Sequence, residues 1–248
     1  MAADGRQEAS CIVHKDSKMK TLGITLARGG SKGVPHKNIR PIMGKPLLAY
    51  TIEEALKCTL LTEYLVSSDD PEILAVAFGC GAQVIERPAE LAQDDTPHLP
   101  ALVHALDWAE DFFNTRFDAV ADLRCTNPLK TALDIDMAIK KLAKTNADCV
   151  VGVSKLEDHH PSRLKMIHGD KLIDVWPEPE SGRRQDLKPD VYIRNGSIYI
   201  VKRDTLKAGN FFIGLENIRP YIMPPERGVN VDTELDFMLV EAMLRQNA

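Results

Sequence analysis

The stretch Ala27-Arg28-Gly29-Gly30-Ser31-Lys32-Gly33-Val34-Pro35-His36-Lys37 decides how this chain is read. It follows an apolar run, Leu22 to Leu26, and precedes a segment of helical spacing, so it is a strand-to-helix loop. Its glycines let the backbone pass close to a ligand and turn N–H groups toward an anion. Arg28, Lys32 and Lys37 add three cations within ten positions. Such a loop suits a polyphosphate. It is neither G-x-x-x-x-G-K-[ST] nor G-x-G-x-x-G, so a plain solvated turn is the competing reading.

Outward from this loop, short β-like runs alternate with helical patterns, as in a parallel sheet covered on both faces. Strands are expected at 22–26, 64–67, 83–85, 119–123, 148–153, 197–201 and 219–223, and helices at 46–57, 71–78, 96–113, 132–143 and 233–244. Asp69-Asp70-Pro71 opens the second helix with an acidic cap and a proline in the first turn. Leu99, Leu102, Val103 and Leu106 share one face of the third. Between Lys155 and Ile193 the rhythm breaks for nearly forty residues, too long for a plain connection. That segment is expected to be a β-rich insertion projecting from the sheet. Residues 1–20 are polar and read as a mobile extension, leaving one domain over 21–248.

Composition narrows the class. With 248 residues and 44% hydrophobic content, the chain can build one α/β core. A net charge of −5 speaks against a nucleic-acid-coating surface or a polybasic membrane patch, so an anion site must be a local basic pocket. No apolar run approaches the ~20 residues that span a bilayer. Five cysteines, without C-x-x-C spacing, fit reduced thiols and a cytoplasmic setting; Cys58, Cys80 and Cys149 read as small core residues.

The loop and its continuation, Asn38-Ile39-Arg40-Pro41-Ile42-Met43-Gly44-Lys45-Pro46-Leu47-Leu48, resemble the signature of nucleotidyltransferases. The likeness is closest to the cytidylyltransferases that activate sialic acids and related nine-carbon keto-sugars. It runs from about residue 21 to 244. It implies a Rossmann-like nucleotidyltransferase fold (GT-A-like), with a mainly parallel central sheet, helices on both faces, and residues 155–193 as a dimerisation insertion. It also implies Mg²⁺-dependent transfer of CMP from CTP to the anomeric hydroxyl of a nonulosonic acid, an acidic keto-sugar, by a homodimer. Two alternatives stay open: a nucleotidyltransferase for another nucleotide or sugar, such as 3-deoxy-octulosonate or a sugar 1-phosphate, and a catalytically idle nucleotide-binding subunit.

Ligands of open α/β sheets sit beyond the carboxyl ends of the strands. There, Arg28, Gly30, Ser31, Lys37 and Asn38 are expected to hold the nucleotide phosphates and ribose, with Arg28 and Lys37 stabilising charge and Lys32 and Arg40 solvated. The resemblance puts Arg87, in Arg87-Pro88-Ala89-Glu90-Leu91, near the base; pairing with Glu86 or Glu90 is the plainer alternative. It sets His98 where many relatives carry a small hydroxyl residue that reads cytosine. Leu123-Arg124-Cys125-Thr126-Asn127-Pro128-Leu129-Lys130 resembles Leu-Gln-Pro-Thr-Ser-Pro-Leu-Arg. Arg124 thus replaces a glutamine that touches the acceptor sugar and could hold the sugar carboxylate instead, with Thr126 beside it. Arg184, Gln185 and Asn195 are expected to contact the acceptor, the first two from the insertion of a second subunit. Gly228-Val229-Asn230-Val231-Asp232-Thr233-Glu234-Leu235-Asp236 resembles Asp-Ile-Asp-Thr-Glu-Leu-Asp. Alternate strand positions share a face, so Asn230 and Asp232 can address one Mg²⁺, with one acidic ligand replaced by an amide. Asp232 capping the final helix is the plainer role. His159 and His160, adjacent in extended chain, point to opposite faces and are read as structural.

Overall fold

Thr21–Leu26 (β1) lies inside a seven-stranded sheet in the computed structural model, which describes residues 19–31, 33–156, 159–180 and 183–246. The chain then forms β2 (Pro41–Ile42), β3 (Lys45–Pro46), α1 (Leu47–Lys57), β4 (Glu63–Ser68), α2 (Pro71–Gly79), β5 (Gln83–Glu86), α3 (His98–Phe112), β6 (Ala119–Leu123), α4 (Ala132–Thr145) and β7 (Cys149–Lys155). A hairpin of β8 (Lys165–His168) and β9 (Lys171–Asp174) precedes β10 (Tyr192–Lys202), α5 (Arg203–Lys207), β11 (Ile218–Met223) and α6 (Glu234–Gln246). Residues 1–18, Lys32 and the side chain of Arg184 lie outside the described part, so the expectations placed on them are not addressed.

The sheet order is β11-β7-β10-β6-β1-β4-β5. Every neighbouring pair is parallel except those of β10, which runs antiparallel to both β6 and β7. From β1 the chain steps one way to β4 and later the other way to β6, so the order reverses between β1 and β6. A crevice forms at such a point, beyond the carboxyl ends of the strands.

Helices cover both faces, and alternation along the strands sorts the core between them. Ile52, Ile73, Ile135 and Ile139, from α1, α2 and α4, pack with Ala121, Leu123 and Ile200 on one side. Leu102 and Leu106 from α3 pack with Leu22, Ile24, Val120 and Val201 on the other. Leu99 and Val103 lie at the margin of that cluster, partly buried. A third, smaller cluster joins Phe237 and Val240 of α6 to Val34, Ile42 and Leu47, fastening the last helix over the first loop.

Local chemistry explains the element ends. Asp70 caps α2 through Glu72 N–H (2.8 Å) and Ile73 N–H, with Pro71 in the first turn. Thr131 and Asp134 form a capping box at α4. At α6, Thr233 and Asp236 exchange hydrogen bonds, so Thr233 and not Asp232 caps the helix.

Two features differ from expectation. Among its described residues, the segment between β7 and β10 holds one short hairpin, with irregular chain and single helical turns around it, and is not β-rich. Pro161, Pro177, Pro179 and Pro189 remove backbone donors that more strands would need. The short α5 carries too few residues to display a period.

Candidate active site

The loop after β1 is held by its own end residues. Asn38, buried, donates from Nδ2 to the Arg28 carbonyl (2.9 Å) and accepts the Cys125 thiol at Oδ1 (3.2 Å). Its amide is therefore spent inside the protein, although Asn38 still lines the crevice. Gly33 is demanded by packing: a Cβ there would come 2.7 Å from the Asp232 carbonyl. The Gly29 N–H is taken by Asp69 (3.2 Å). Gly30 is exposed and stands off the crevice wall. These glycines serve the loop's fit to the protein more than its approach to a ligand. Arg40 is not merely solvated; it pairs with Glu234 (2.5 Å) and lies over the Phe237 ring.

The crevice has a volume of about 450 Å³. Arg28, Ser31, Gly33, Lys37, Asn38, Arg87, His98, Arg124, Cys125, Thr126, Gly196, Asn230 and Asp232 line it. A side compartment of about 200 Å³ continues between Arg28, Arg87, Thr96, Pro97 and His98. Ten of the residues singled out in the sequence thus meet in one cleft, drawn from segments after β1, β5, β6 and β11 and from the start of α3.

Bonds between these segments fix their spacing. Lys37 Nζ donates to Asp232 Oδ1 (2.9 Å), joining the two ends of the chain. Val231 N–H donates to the Thr126 carbonyl (2.8 Å). Asn230 Nδ2 donates to the Asn195 carbonyl (2.7 Å) beside Gly196, whose φ of +65° suits glycine. Arg28 pairs with Asp94 (2.9 Å), and Arg87 Nη2 meets Asp69 (3.3 Å), not Glu86 or Glu90. Arg87 is buried, and among the described residues its Nε has no partner; burial pushes its guanidinium below the ordinary range, against the pull of Asp69.

Lys130 anchors the loop after β6 from beneath. Fully buried, its Nζ donates to Thr51 Oγ1 (2.8 Å), to the Arg124 carbonyl (2.7 Å) and to the Asn127 carbonyl. Three acceptors match the three donors of an ammonium, while burial pushes its pKa down to about 7. Arg124, above it, donates from Nε to Asp122 (3.3 Å) and lies over the Tyr199 ring. His98 Nε2 meets the same carboxylate at 3.0 Å.

Other expected residues fall elsewhere. Asn195 is buried: Nδ2 donates to Ser154 Oγ (3.1 Å) and Met223 Sδ, and Oδ1 accepts from Ser197 N–H. Its side chain braces the sheet, and only its backbone carbonyl, which accepts from Asn230 Nδ2, bears on the cleft. Gln185 lines a separate cavity with Lys155, His160, Lys188 and Asp190. His160 is a buried structural residue, bonded to Ser162 (2.8 Å) and the Pro189 carbonyl (3.0 Å). Arg194 lies over the Phe212 ring. The four described cysteines are free thiols; Cys149 is buried, Cys58 and Cys80 only partly, and Cys58 donates to Asp136. Asp122 was missed by the sequence reading; its one signal is a carboxylate within the apolar run Ala119-Val120-Ala121-Asp122-Leu123.

For a divalent ion, the described residues hold no cluster of three or more His, Cys, Asp or Glu side chains. Asp232 supplies one carboxylate, and Asn230 Oδ1 is a buried acceptor without a partner among the described residues. An amide oxygen and one carboxylate fit Mg²⁺, which commonly takes one or two carboxylates and completes its shell with phosphates and water. Among the described residues, no helix is long and apolar enough to cross a membrane.

Comparison with known proteins agrees with this architecture. A solved CMP:2-keto-3-deoxy-manno-octonic acid synthetase, complexed with CTP, superposes with a TM-score of 0.69 at 20% identity, over 92% of this chain and 100% of that one. A 4-diphosphocytidyl-2C-methyl-D-erythritol synthase from Anaerococcus prevotii gives 0.63 at 13% identity, over 92% and 97%. Both share the Rossmann-like nucleotidyltransferase fold. In sequence, a Campylobacter jejuni CMP-N,N'-diacetyllegionaminic acid synthase is 35% identical over 219 residues, 88% of this chain and 92% of that one. The post-translational flagellin modification protein B of Campylobacter coli is 33% identical over 224 residues, 89% and 93% of the two chains. The profile of the cytidylyltransferase family matches residues 22–221, and on that match the chain belongs to the cytidylyltransferase family.

Proposed function

We propose that this protein transfers CMP from CTP to the anomeric hydroxyl of a nonulosonic acid of the sialic, legionaminic or pseudaminic type, releasing pyrophosphate. The observation that carries the reading is the convergence, in one cleft, of Arg28 and Lys37, of Arg87 and His98, of Arg124 and Thr126, and of Asn230 and Asp232. The family match and the relatives named above support cytidylyl transfer to a sugar.

In this reading the side compartment takes the base, between Arg87 and His98. Arg28 and Lys37 exchange their present partners, Asp94 and Asp232, for phosphate oxygens. Arg28 can do so with two parallel hydrogen bonds, Lys37 as a point charge. Ser31 adds a hydroxyl. Arg124 and Thr126 face the acceptor. The acceptor oxygen bonds to the α-phosphorus as the bond to the pyrophosphate oxygen breaks, and the hydroxyl proton is released. Such a transfer asks for alignment and charge neutralisation more than for a covalent nucleophile. Mg²⁺, held by Asp232 with the Asn230 amide oxygen beside it, would supply charge neutralisation on the phosphates.

The hairpin of β8 and β9 leaves Ile167 and Leu172 78% and 73% exposed, an apolar surface suited to burial against a second copy. A homodimer built through residues 155–193 would bring Gln185 and Arg184 toward a partner's cleft.

Pyrophosphate release with a panel of nucleotides and keto-acids tests the reading. Turnover is expected with CTP and a nonulosonic acid. A preference for UTP, GTP or a sugar 1-phosphate overturns the CMP assignment. Nucleotide binding without turnover on any acceptor favours an idle subunit, the reading to which Asn230 in place of a carboxylate lends weight.

A further inference from the structure

Asp122 sits inside β6, paired across the sheet with Tyr199 of β10 and Ile24 of β1, and none of its surface is exposed. A carboxylate there needs a partner, because an uncompensated charge is strongly disfavoured away from water. Its Oδ2 has two partners, His98 Nε2 at 3.0 Å and Arg124 Nε at 3.3 Å; its Oδ1 has none among the described residues. Burial opposes its ionisation, but the charges and hydrogen bonds of His98 and Arg124 outweigh that and hold the carboxyl below the usual range.

Both partners are steadied a second time by aromatic rings. The Arg124 guanidinium lies 4.7 Å from the centre of the Tyr199 ring, and the His98 ring stacks on Phe211 at 6.2 Å with an interplanar angle of 13°. With Nε tied to Asp122 and one face on Tyr199, Arg124 keeps both Nη groups free of protein partners among the described residues while lining the main cleft. That edge is the one that takes a carboxylate through two parallel bonds. His98 likewise keeps Nδ1 free and lines both compartments.

We propose that Asp122 is a positioning residue, one buried carboxylate that aligns Arg124 for the acceptor's carboxylate and His98 for the nucleotide base. This rests on the reading given under Proposed function and adds to it the device that selects an acidic acceptor. The position of Asp122 behind both compartments also ties the two recognition events to a single side chain.

The test is a double-mutant cycle on acceptor KM in the full-length protein, with CTP and Mg²⁺ saturating. Asp122→Asn is expected to raise acceptor KM about tenfold, the size of one charge-assisted hydrogen bond lost. In an Arg124→Gln background the same change is expected to move acceptor KM by less than about twofold, because partners in one network are not additive. In a His98→Ala background the roughly tenfold effect is expected to persist. Equal effects in all backgrounds, or an unchanged acceptor KM in Asp122→Asn, overturn the proposal. Should Asp122→Asn fail to fold, Arg124→Lys decides: it keeps the charge and loses the Nε bond, and is expected to impair acceptor KM as much as Arg124→Gln. A lysine variant with unchanged acceptor KM overturns the proposal as well. Absence of turnover in the unaltered protein with every nucleotide and acid would instead sink the parent reading, and this one with it.

Discussion

The cleft and the segment that leaves the sheet after Lys155 are built on opposite terms. Around the cleft, polar side chains are bound to one another across distant parts of the sequence: Lys37 to Asp232, Asn38 to Cys125, Asn230 to Asn195, and Lys130 to three oxygens. In the projecting segment, every residue of β8 and β9 is exposed, Met166, Ile167, Leu172 and Ile173 among them, and hydrogen bonds such as Lys165 to Asp174 are local. In the first region the framework of the cleft is fixed by bonds between distant segments, while its cations Lys37 and Arg28 stand paired with Asp232 and Asp94. The second has apolar surface that the other described residues do not cover.

The contrast breaks most visibly if chemistry and association fail to separate. Asp232→Ala is expected to remove Mg²⁺-dependent pyrophosphate release by about 10³-fold or more, and Lys37→Ala by about 10²–10³-fold, with molar mass by light scattering unchanged. Activity retained within about tenfold would show that the cleft is organised around other groups.

A smaller effect tests how far the cleft's foundations depend on buried ion pairs. Asp134 accepts from Thr131, from Tyr221 (2.9 Å) and from Arg227 (2.9 Å). Asp134→Ala is expected to cost about 1–3 kcal/mol in urea unfolding at neutral pH, since it removes the capping-box carboxylate of α4 and the acceptor of Tyr221 and of the half-exposed Arg227. Burial opposes ionisation of Asp134, but these partners outweigh it and hold the carboxyl below its ordinary value. Between that lowered pKa and about 3.9 the unfolded chain binds a proton that the folded chain does not. Stability therefore rises with pH through this window and is lost as pH falls through it. Asp134→Asn should flatten the acid limb of the stability profile, and an unchanged limb would assign acid sensitivity elsewhere.

Asn230→Asp sharpens the comparison from the metal side. It trades the donor on the Asn195 carbonyl for an oxygen facing an oxygen, at an expected loss of about 1–3 kcal/mol. Mg²⁺ with CTP should restore part of that loss in a melting experiment. No loss without Mg²⁺ would mean the amide is not a clamp. The smallest effect is expected on the hairpin: Ile167→Glu with Leu172→Glu should leave monomer stability within about 0.5 kcal/mol for each exposed position. The same pair should convert a dimer to a monomer in light scattering, and a persistent dimer would place the interface elsewhere.

Elements whose signal is local were legible in the sequence. Leu22 to Leu26, Ala119 to Leu123 and the helix opened by Asp70-Pro71 follow from periodicity and capping alone. The cleft membership of Arg28, Lys37, Arg87, Arg124 and Asp232 followed from one rule, that loops after parallel strands converge. What escaped reading depends on contacts across the sheet. An apolar run such as Ser197 to Val201 reads alike in either direction, so the reversal of β10 left no mark. Asn195 and Asn38 carry groups suited to a ligand, yet spend them on Ser154, Met223, Arg28 and Cys125, partners distant in sequence. Asp122 drew no reading from the sequence, because its partners His98 and Arg124 are brought to it only by the fold.

The antiparallel course of β10 has a further consequence. Because this strand runs against its neighbours, it enters the sheet at the edge where the others leave it. Chain emerging from the hairpin region therefore passes Asn195 and Gly196, at the lip of the cleft, before it is committed to the core. A change of chain within residues 156–191 would therefore reach the cleft through the placing of Gly196 and of the Asn195 carbonyl that holds Asn230, with Lys37, Asp122 and Arg124 left where they stand.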